Sequence, residues 1–412
     1  MPSRSAPNKV KIARRRTFAL FALQLGFLAV IFMPGNLRSQ TSQKAKLHRP
    51  RRLDEGISLQ RDPATGELKT VVAKTPGNSS EKGAEPAPHS IRVETPLVPV
   101  TCSVTDAGGA ALAGLTRANF RIYDDGIEQP ITYFDASTQP ATIALVIDAS
   151  PSTLPQSAEM KDAARALVDG LSPTDQVAVI DFSAHTYLQL PFSNDWGLIR
   201  KAISRIDVRE LFGDTGGSNI YQSVFLTARQ LFAGRTGRKA IVLLTDGQDS
   251  GLGLTLDPET ASPRPGLPSD RLTFDDVARA LAAADIQLFA VSTQSRPKIM
   301  TAAWLTKHSA ESLLESDARR LEIPAYTLYL AELVRRVGGQ LYFLRETKTL
   351  ADTFREIAHT IRAEYTLGFA PTQDARATSR STWHTLRVEV VGHSGVTVVH
   401  RAGYYASVPP RP

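Results

Sequence analysis

Ala144-Leu145-Val146-Ile147-Asp148-Ala149-Ser150-Pro151-Ser152 is an apolar run that breaks into Asp-x-Ser-x-Ser. A continuous apolar stretch of this kind suits a parallel strand covered by helices on both faces. The same pattern returns at Val177–Phe182, Ala240–Leu244 and Ile286–Val291, and Gly339–Leu344 offers another strand. Helical periodicity fills the intervals, over Ser157–Leu171, Asp195–Ile206, Ile220–Phe232, Phe274–Ala284, Tyr326–Val337 and Thr349–Arg362. Strand and helix in alternation predict an α/β fold with a doubly wound, mostly parallel sheet. Such a sheet binds ligands at the carboxyl ends of its strands. Two irregular stretches, Ser250–Leu272 and Ser295–Ile323, read as surface excursions from it.

Outward from this core the periodicity changes to two. Pro96–Val104, Asn119–Tyr123 and Ile131–Phe134 read as strands on the amino-terminal side, with Asp124-Asp125-Gly126 as a hairpin signal because Gly accepts positive φ. Tyr365–Phe369, Thr385–Val391 and Val396–His400, with Tyr404-Tyr405, read as strands on the carboxyl-terminal side. These are small β-rich segments flanking the α/β part, and the second is expected to join the first.

Three pieces of sequence carry chemistry. Asp148, Ser150 and Ser152 stand at alternate positions where a strand gives way to a helix, so their oxygens can converge above the sheet edge. Gly213-Asp-Thr-Gly-Gly-Ser218-Asn219 opens the next helix, and its glycines let the backbone approach so that Ser218 projects to the same point. Thr245-Asp246-Gly247 ends another strand and supplies a second carboxylate, Asp246. Alone, each piece has a plainer reading, a helix N-cap or a turn. Together, at the ends of successive parallel strands, they predict a metal site. Its five donors are hard oxygens, a set suited to Mg²⁺, Mn²⁺ or Ca²⁺, and the low count of charged ligands favours Mg²⁺ with retained waters. Asp214 and Asp249 read as solvated loop carboxylates; Trp196, Trp304 and Trp383 read as packing residues; His185 and His308 lack metal-ligand spacing.

Over about residues 141–363 the chain resembles the von Willebrand factor type A (VWFA) domain with its metal-ion-dependent adhesion site (MIDAS). All five ligand positions are occupied in order by Asp148, Ser150, Ser152, Ser218 and Asp246, with Ser218 where the family usually has Thr. The resemblance implies that hydroxyls and carboxylates hold the ion directly or through water, and that a carboxylate from a protein partner completes the shell. It also implies that Thr349–Arg362, the last helix, is the element that moves on ligand binding. The flanking Gly114-Leu115-Thr116, Asn119–Gly126 and Arg401-Ala402-Gly403-Tyr404-Tyr405 look like the VWFA-related domain of acidobacterial secreted proteins.

Charge separates the chain into two parts. The formal net charge is +7, yet twelve Lys and Arg precede the first acidic residue, Asp54, leaving 36 basic against 41 acidic residues after it. Phe18–Met33 is uncharged and follows Arg14-Arg15-Arg16, as an export signal or membrane anchor does. Residues 1–38 are therefore expected to be a signal peptide or amino-terminal membrane anchor, and 39–90, rich in Gln, Ser, Lys, Pro and Glu, a disordered linker. The remaining divisions are a small β unit at 91–138, the VWFA domain at 141–363 and a β appendage at 364–408. The expected location is outside the cytoplasm, in the periplasm, cell envelope or extracellular space, with residues 18–33 in the inner membrane if they are retained. Basic residues flanking an apolar run without interleaved aromatics argue against nucleic-acid binding. One cysteine, Cys102, excludes an intrachain disulfide.

These features predict a secreted or membrane-attached protein-binding module for cell adhesion, in which a cation captures a carboxylate of its partner. A structural cell-envelope component whose metal stabilises the fold is the alternative. A phosphoryl-transfer enzyme with Asp148 as nucleophile is disfavoured, because Ser150 stands where such phosphatases place their acid/base carboxylate. No Gly-x-Ser-x-Gly, P-loop or His-Glu-x-x-His motif is present, and the chain is not expected to be an enzyme.

Overall fold

The computed structural model describes residues 49–63, 66–72, 97–107, 110–136, 140–207, 218–249, 271–298, 300, 325–343, 350–362, 364–371 and 383–405. Three short strands come first, β1 (Arg51–Arg52), β2 (Ile57–Arg61) and β3 (Leu68–Val72). Then come β4 (Val98–Thr105), β5 (Phe120–Asp124), β6 (Ile127–Gln129) and β7 (Tyr133–Asp135). The α/β part runs β8 (Thr142–Asp148), α1 (Ser157–Gly170), β9 (Gln176–Phe182), β10 (Thr186–Ser193), α2 (Trp196–Ser204), α3 (Ile220–Leu231) and β11 (Lys239–Thr245). It continues through α4 (Phe274–Ala283), β12 (Gln287–Ser292), α5 (Ala325–Val337), β13 (Leu341–Phe343) and α6 (Leu350–Arg362). Four strands close the described chain, β14 (Glu364–Phe369), β15 (Trp383–Val390), β16 (Thr397–His400) and β17 (Gly403–Tyr405).

Every residue of β8 is buried, as a strand covered on both faces requires. It lies at the centre of a seven-stranded sheet ordered β1-β10-β9-β8-β11-β12-β13. The strands from β9 to β13 in that order are parallel to one another. β10 and β1 add antiparallel at one edge. Alternate β8 residues serve opposite cores. Ala144 and Val146 pack with Val224 and Phe225 of α3, Val277 and Leu281 of α4, and Leu333 of α5. Ile143, Leu145 and Ile147 pack with Leu167 of α1, Ile203 of α2, and Phe354 and Ile357 of α6. Helices thus cover both faces, the doubly wound α/β arrangement that the apolar runs imply.

The flanking β segments form one antiparallel sandwich. Its sheets are β16-β4-β14-β7 and β17-β15-β5-β6, so each combines two strands from before the α/β part with two from after it. Phe120 and Ile122 of β5, Val100 and Val104 of β4, Leu367 and Phe369 of β14, and Val388 of β15 fill the space between them. Arg238 ties the sandwich to the α/β part, donating to Arg362 O and Glu364 O at 2.7 Å each. The buried Arg401 guanidinium donates to Pro99 O and, at 3.5 Å, to Ala282 O. Ala402 N donates to Arg335 O at 3.0 Å.

The expectation of a disordered linker over 39–90 fails for residues 51–63 and 66–72. β1 pairs with β10, and β2 and β3 form a hairpin. Leu53 and Leu68 enter the core beneath α3 and α4. Arg61 forks onto Asp276 of α4 at 2.7 and 2.9 Å, and Arg229 of α3 bonds Glu67 at 2.6 Å. A few leucines therefore suffice to order this polar segment, because ion pairs far apart in sequence fix its position. Residues 73–96 and segment 1–38, the expected signal peptide or membrane anchor, lie outside the described residues. Among those described, no helix is long and apolar enough to cross a membrane. All of them belong to one compact unit, Ala45–Pro412.

Burial raises the Asp276 carboxyl, but hydrogen bonds from Arg61 and Thr273 outweigh it and hold the group below its usual range. A lowered carboxylate pKa gives stability above the unfolded value that is lost as pH falls through the folded one. Arg61→Ala should cost about 2 kcal/mol at pH 7 in urea unfolding, since it leaves a mostly buried charge without its partner. The gap to wild type should narrow below pH ~4. An unchanged midpoint at pH 7 would show that the hairpin is not anchored through this pair.

Candidate metal centre

The chemistry sits where β8 and β11 run out of apolar residues. Asp148, the last residue of β8, is 2% exposed, and Ser150 and Asp246 are as buried. After Ser150 the chain turns through a short 3₁₀ segment, Pro151–Gln156, before α1 begins. The buried Thr153 hydroxyl fixes that turn by bridging Asp148 O and Ser150 O at 3.1 and 2.8 Å. The turn brings the Ser150 and Ser152 hydroxyls to 3.1 Å from each other, with Ser152 exposed at the mouth.

Around the Asp148 carboxylate the donors are polar and uncharged. Oδ1 accepts from Ser150 N at 3.0 Å; Oδ2 accepts from the Thr245 hydroxyl at 2.6 Å and the Ser218 hydroxyl at 3.4 Å. Ser218 reaches this position because Asn219, just before α3, is held by the β9–β10 turn. Its N–H donates to Ser183 O at 2.9 Å and its side-chain amide to Ala184 O at 2.6 Å. Asp246 is held by Gln248, whose N–H donates to Oδ1 at 2.9 Å. Gly247 follows with φ +87°, and a side chain there would press on the Tyr326 ring at 3.1 Å, so a left-handed glycine lets α5 begin close to Asp246. Burial raises the Tyr326 hydroxyl, and the Asp246 charge adds to the effect.

The structure therefore brings Asp148, Ser150, Ser152 and Ser218 into one hydrogen-bonded group. Asp246 stands near enough that its charge raises the Asp148 carboxyl further. Burial is the larger cause; against the bonds from Ser150 and Thr245 it pushes Asp148 up to about 6. Among the described residues no basic side chain bonds to Asp148. Two buried carboxylates ringed by hydroxyls are a donor set that fits a hard divalent cation.

Sequence reading left Thr245 without a role, although it makes the shortest bond to Asp148; its place between an apolar strand and Asp246 was the available signal. Asp249 is not simply solvated: it accepts from Tyr221 N, in the first turn of α3, at 3.3 Å. His185, set aside for want of metal-ligand spacing, pairs instead with Asp54, its Nδ1 lying 2.6 Å from Asp54 Oδ2. Trp196 packs against the core beneath α2, as its reading expects. Gly213 to Gly217, Asp214 among them, Trp304 and His308 lie outside the described residues.

A carboxyl whose folded pKa is raised stabilises the fold at low pH and loses that contribution as pH rises through about 6. In EDTA, wild type should thus lose about 2 kcal/mol of unfolding free energy relative to Asp148→Asn between pH 4 and pH 7. Parallel pH profiles for the two chains would refute the account of burial given above.

Residues 143–248 match the family model of the von Willebrand factor type A domain. No curated protein matches the chain in sequence. Among solved structures the chain is similar to an aerotolerance-related membrane protein from Bacteroides fragilis NCTC 9343, at 17% identity over 54% of this chain and 98% of that one, with a TM-score of 0.36. It is similar to a von Willebrand factor type A protein from Catenulispora acidiphila, at 14% identity over 76% and 74% of the two chains, with a TM-score of 0.36. It is also similar to proximal thread matrix protein 1 from the mussel byssus with a zinc-occupied MIDAS motif, at 16% identity over 57% and 48%, with a TM-score of 0.37. The family match spans the strands and loops that carry Asp148, Ser150, Ser152, Ser218 and Asp246, and within those bounds the chain is similar to the von Willebrand factor type A domain.

Proposed function

We propose that this protein is an exported or membrane-attached binding module in which Asp148, Ser150, Ser152, Ser218 and Asp246 hold a divalent cation, Mg²⁺ by preference, that captures a carboxylate of a protein partner. The observation that carries this reading is the Asp148 carboxylate, buried beside a second carboxylate and met, among the described residues, only by hydroxyls and a backbone N–H. Such a site has unneutralised negative charge and oxygen donors, and a hard cation supplies what it lacks. When bound, a cation with few charged ligands stays electrophilic toward an external Asp or Glu. The Ser152 hydroxyl at the mouth and Leu154, 50% exposed two residues on, offer a polar and an apolar contact beside that point.

Turnover has no support in the arrangement: among the described residues Asp148 has no acid/base side chain among its hydrogen-bond partners that could move a proton during attack. The Phe18–Met33 segment supports export, and the net −5 balance of the chain from Asp54 onward gives no affinity for nucleic acid.

The test is capture from a cell-envelope extract with Mg²⁺ or EDTA, read by mass spectrometry, with folding followed by circular dichroism. Partners should be retained only with Mg²⁺ and lost in Asp148→Ala without loss of fold. Capture that persists in EDTA would end the adhesion reading. A melting temperature that falls on chelation with no partner lost would instead favour a purely structural metal. Hydrolysis of a phosphomonoester that requires Asp148 would restore the enzyme.

A further inference from the structure

A second group of potential ligands lies in the sandwich, on residues that the strand-end site does not use. Along β5, Phe120, Ile122 and Asp124 occupy the three inward positions, all buried. The first two pack in the sandwich core. The third places a carboxylate, 5% exposed, where the strand pattern calls for an apolar side chain. The hairpin that follows explains part of this sequence. Asp125 and Gly126 have φ +48° and +82°, the two consecutive left-handed residues of a type I′ turn, for which Asp-Gly is a favoured pair. That accounts for Asp125 and leaves the buried Asp124 unexplained.

The neighbours of these carboxylates come from the far end of the chain. On β15, His384 is 6% exposed, pairs in register with Tyr404 of β17, and stacks on its ring at 5.2 Å between centroids. Each carboxylate commits one oxygen to protein donors. Asp124 Oδ2 accepts from the Tyr404 hydroxyl at 2.9 Å. Asp125 Oδ1 accepts from Thr385 N at 2.8 Å and from the Thr385 hydroxyl at 2.9 Å. The other oxygens face His384 Nδ1: Asp125 Oδ2 at 2.8 Å and Asp124 Oδ1 at 3.8 Å. Among the described residues the buried Asp124 Oδ1 has no hydrogen-bond partner. One oxygen from each carboxylate and one ring nitrogen lie within 4.8 Å of one another.

A proton on His384 cannot satisfy this arrangement. Nδ1 carries one hydrogen, which goes to the nearer Asp125, and the buried Asp124 oxygen keeps its charge or its lone pair unmatched. A divalent cation in place of that hydrogen meets all three atoms and balances two carboxylates. The outer donors, Tyr404 and Thr385, already hold each carboxylate by its far oxygen, as the supporting groups of metal ligands do. We propose that Asp124, Asp125 and His384 form a second cation site, selective for zinc-class ions. One nitrogen and two oxygens with room for water suit Zn²⁺, whereas Mg²⁺ and Ca²⁺ favour oxygen alone. The bound ion joins the β5–β6 turn to β15, two segments that meet only in the folded sandwich.

The experiment uses the full chain, stripped with chelator, dialysed and loaded with Zn²⁺ or Co²⁺. Zn²⁺ per chain is measured by mass spectrometry and affinity by competition with a chromophoric chelator. His384→Gln and, independently, Asp125→Asn at its exposed position should each bind one Zn²⁺ fewer than wild type. Asp148→Ala should retain that ion, so the fate of the strand-end site is read separately. Tyr404→Phe keeps all three ligands and should bind the ion about 10- to 100-fold more weakly. Co²⁺ should give visible absorption bands of low-symmetry nitrogen and oxygen coordination that vanish in His384→Gln. Equal Zn²⁺ content and affinity in wild type, His384→Gln and Asp125→Asn would overturn the proposal.

Discussion

The central strand β8 is buried along its whole length, and most of the structure follows from that constraint. A strand with no exposed residue can carry no polar side chain except where the sheet stops. Its apolar residues alternate between two cores, so helices must stand on both faces. Connections between parallel strands then run by way of those helices, and successive strands end at the same edge. Between Thr142 at its start and Asp148 at its end β8 holds only apolar residues, and Asp148 falls at that edge together with the end of β11 and the start of α3. The burial that fixes the fold is also what makes the Asp148 carboxylate hard to ionise and gives a cation something to relieve.

Legibility in the sequence tracked how local the causes were. The runs at Ala144, Val177, Ala240 and Ile286 each announce a doubly covered strand, and the helices between them carry their own periodicity. The five candidate ligand residues stand out in the sequence because each sits at a strand or helix boundary. β10 has no comparable signature: Thr186–Ser193 contains Gln189 and Pro191 and is held as an antiparallel partner of β9. The 51–72 segment has few apolar residues, and what orders it are partners such as Asp276 and Arg229, far along the chain. Thr245 was visible as a residue but not as a bond, since its hydroxyl acquires meaning only against Asp148.

The same distinction separates the two candidate cation sites. The first assembles from loops at one sheet edge, so its parts carry recognisable patterns. The second needs Asp125 and His384, which are 259 residues apart, to meet across paired strands. In the sequence, Asp124-Asp125-Gly126 signals a turn and His384 stands alone. Only the register of β15 against β5 and β17, which pairs Leu386 with Asp124 and His384 with Tyr404, turns them into neighbours.

The α/β part is spliced into the sandwich: the chain leaves it after β7 and returns at β14, two strands that are themselves hydrogen-bonded neighbours. The return is abrupt, with α6 ending at Arg362 and β14 beginning at Glu364. Arg238, on the segment leading into β11, grips the carbonyls on either side of that junction. β14 in turn is an interior strand, zipped to β4 on one side and β7 on the other. A displacement of α6 along its axis would pull on β14 and on the Arg238 contacts, which makes the sandwich a mechanical load on that helix.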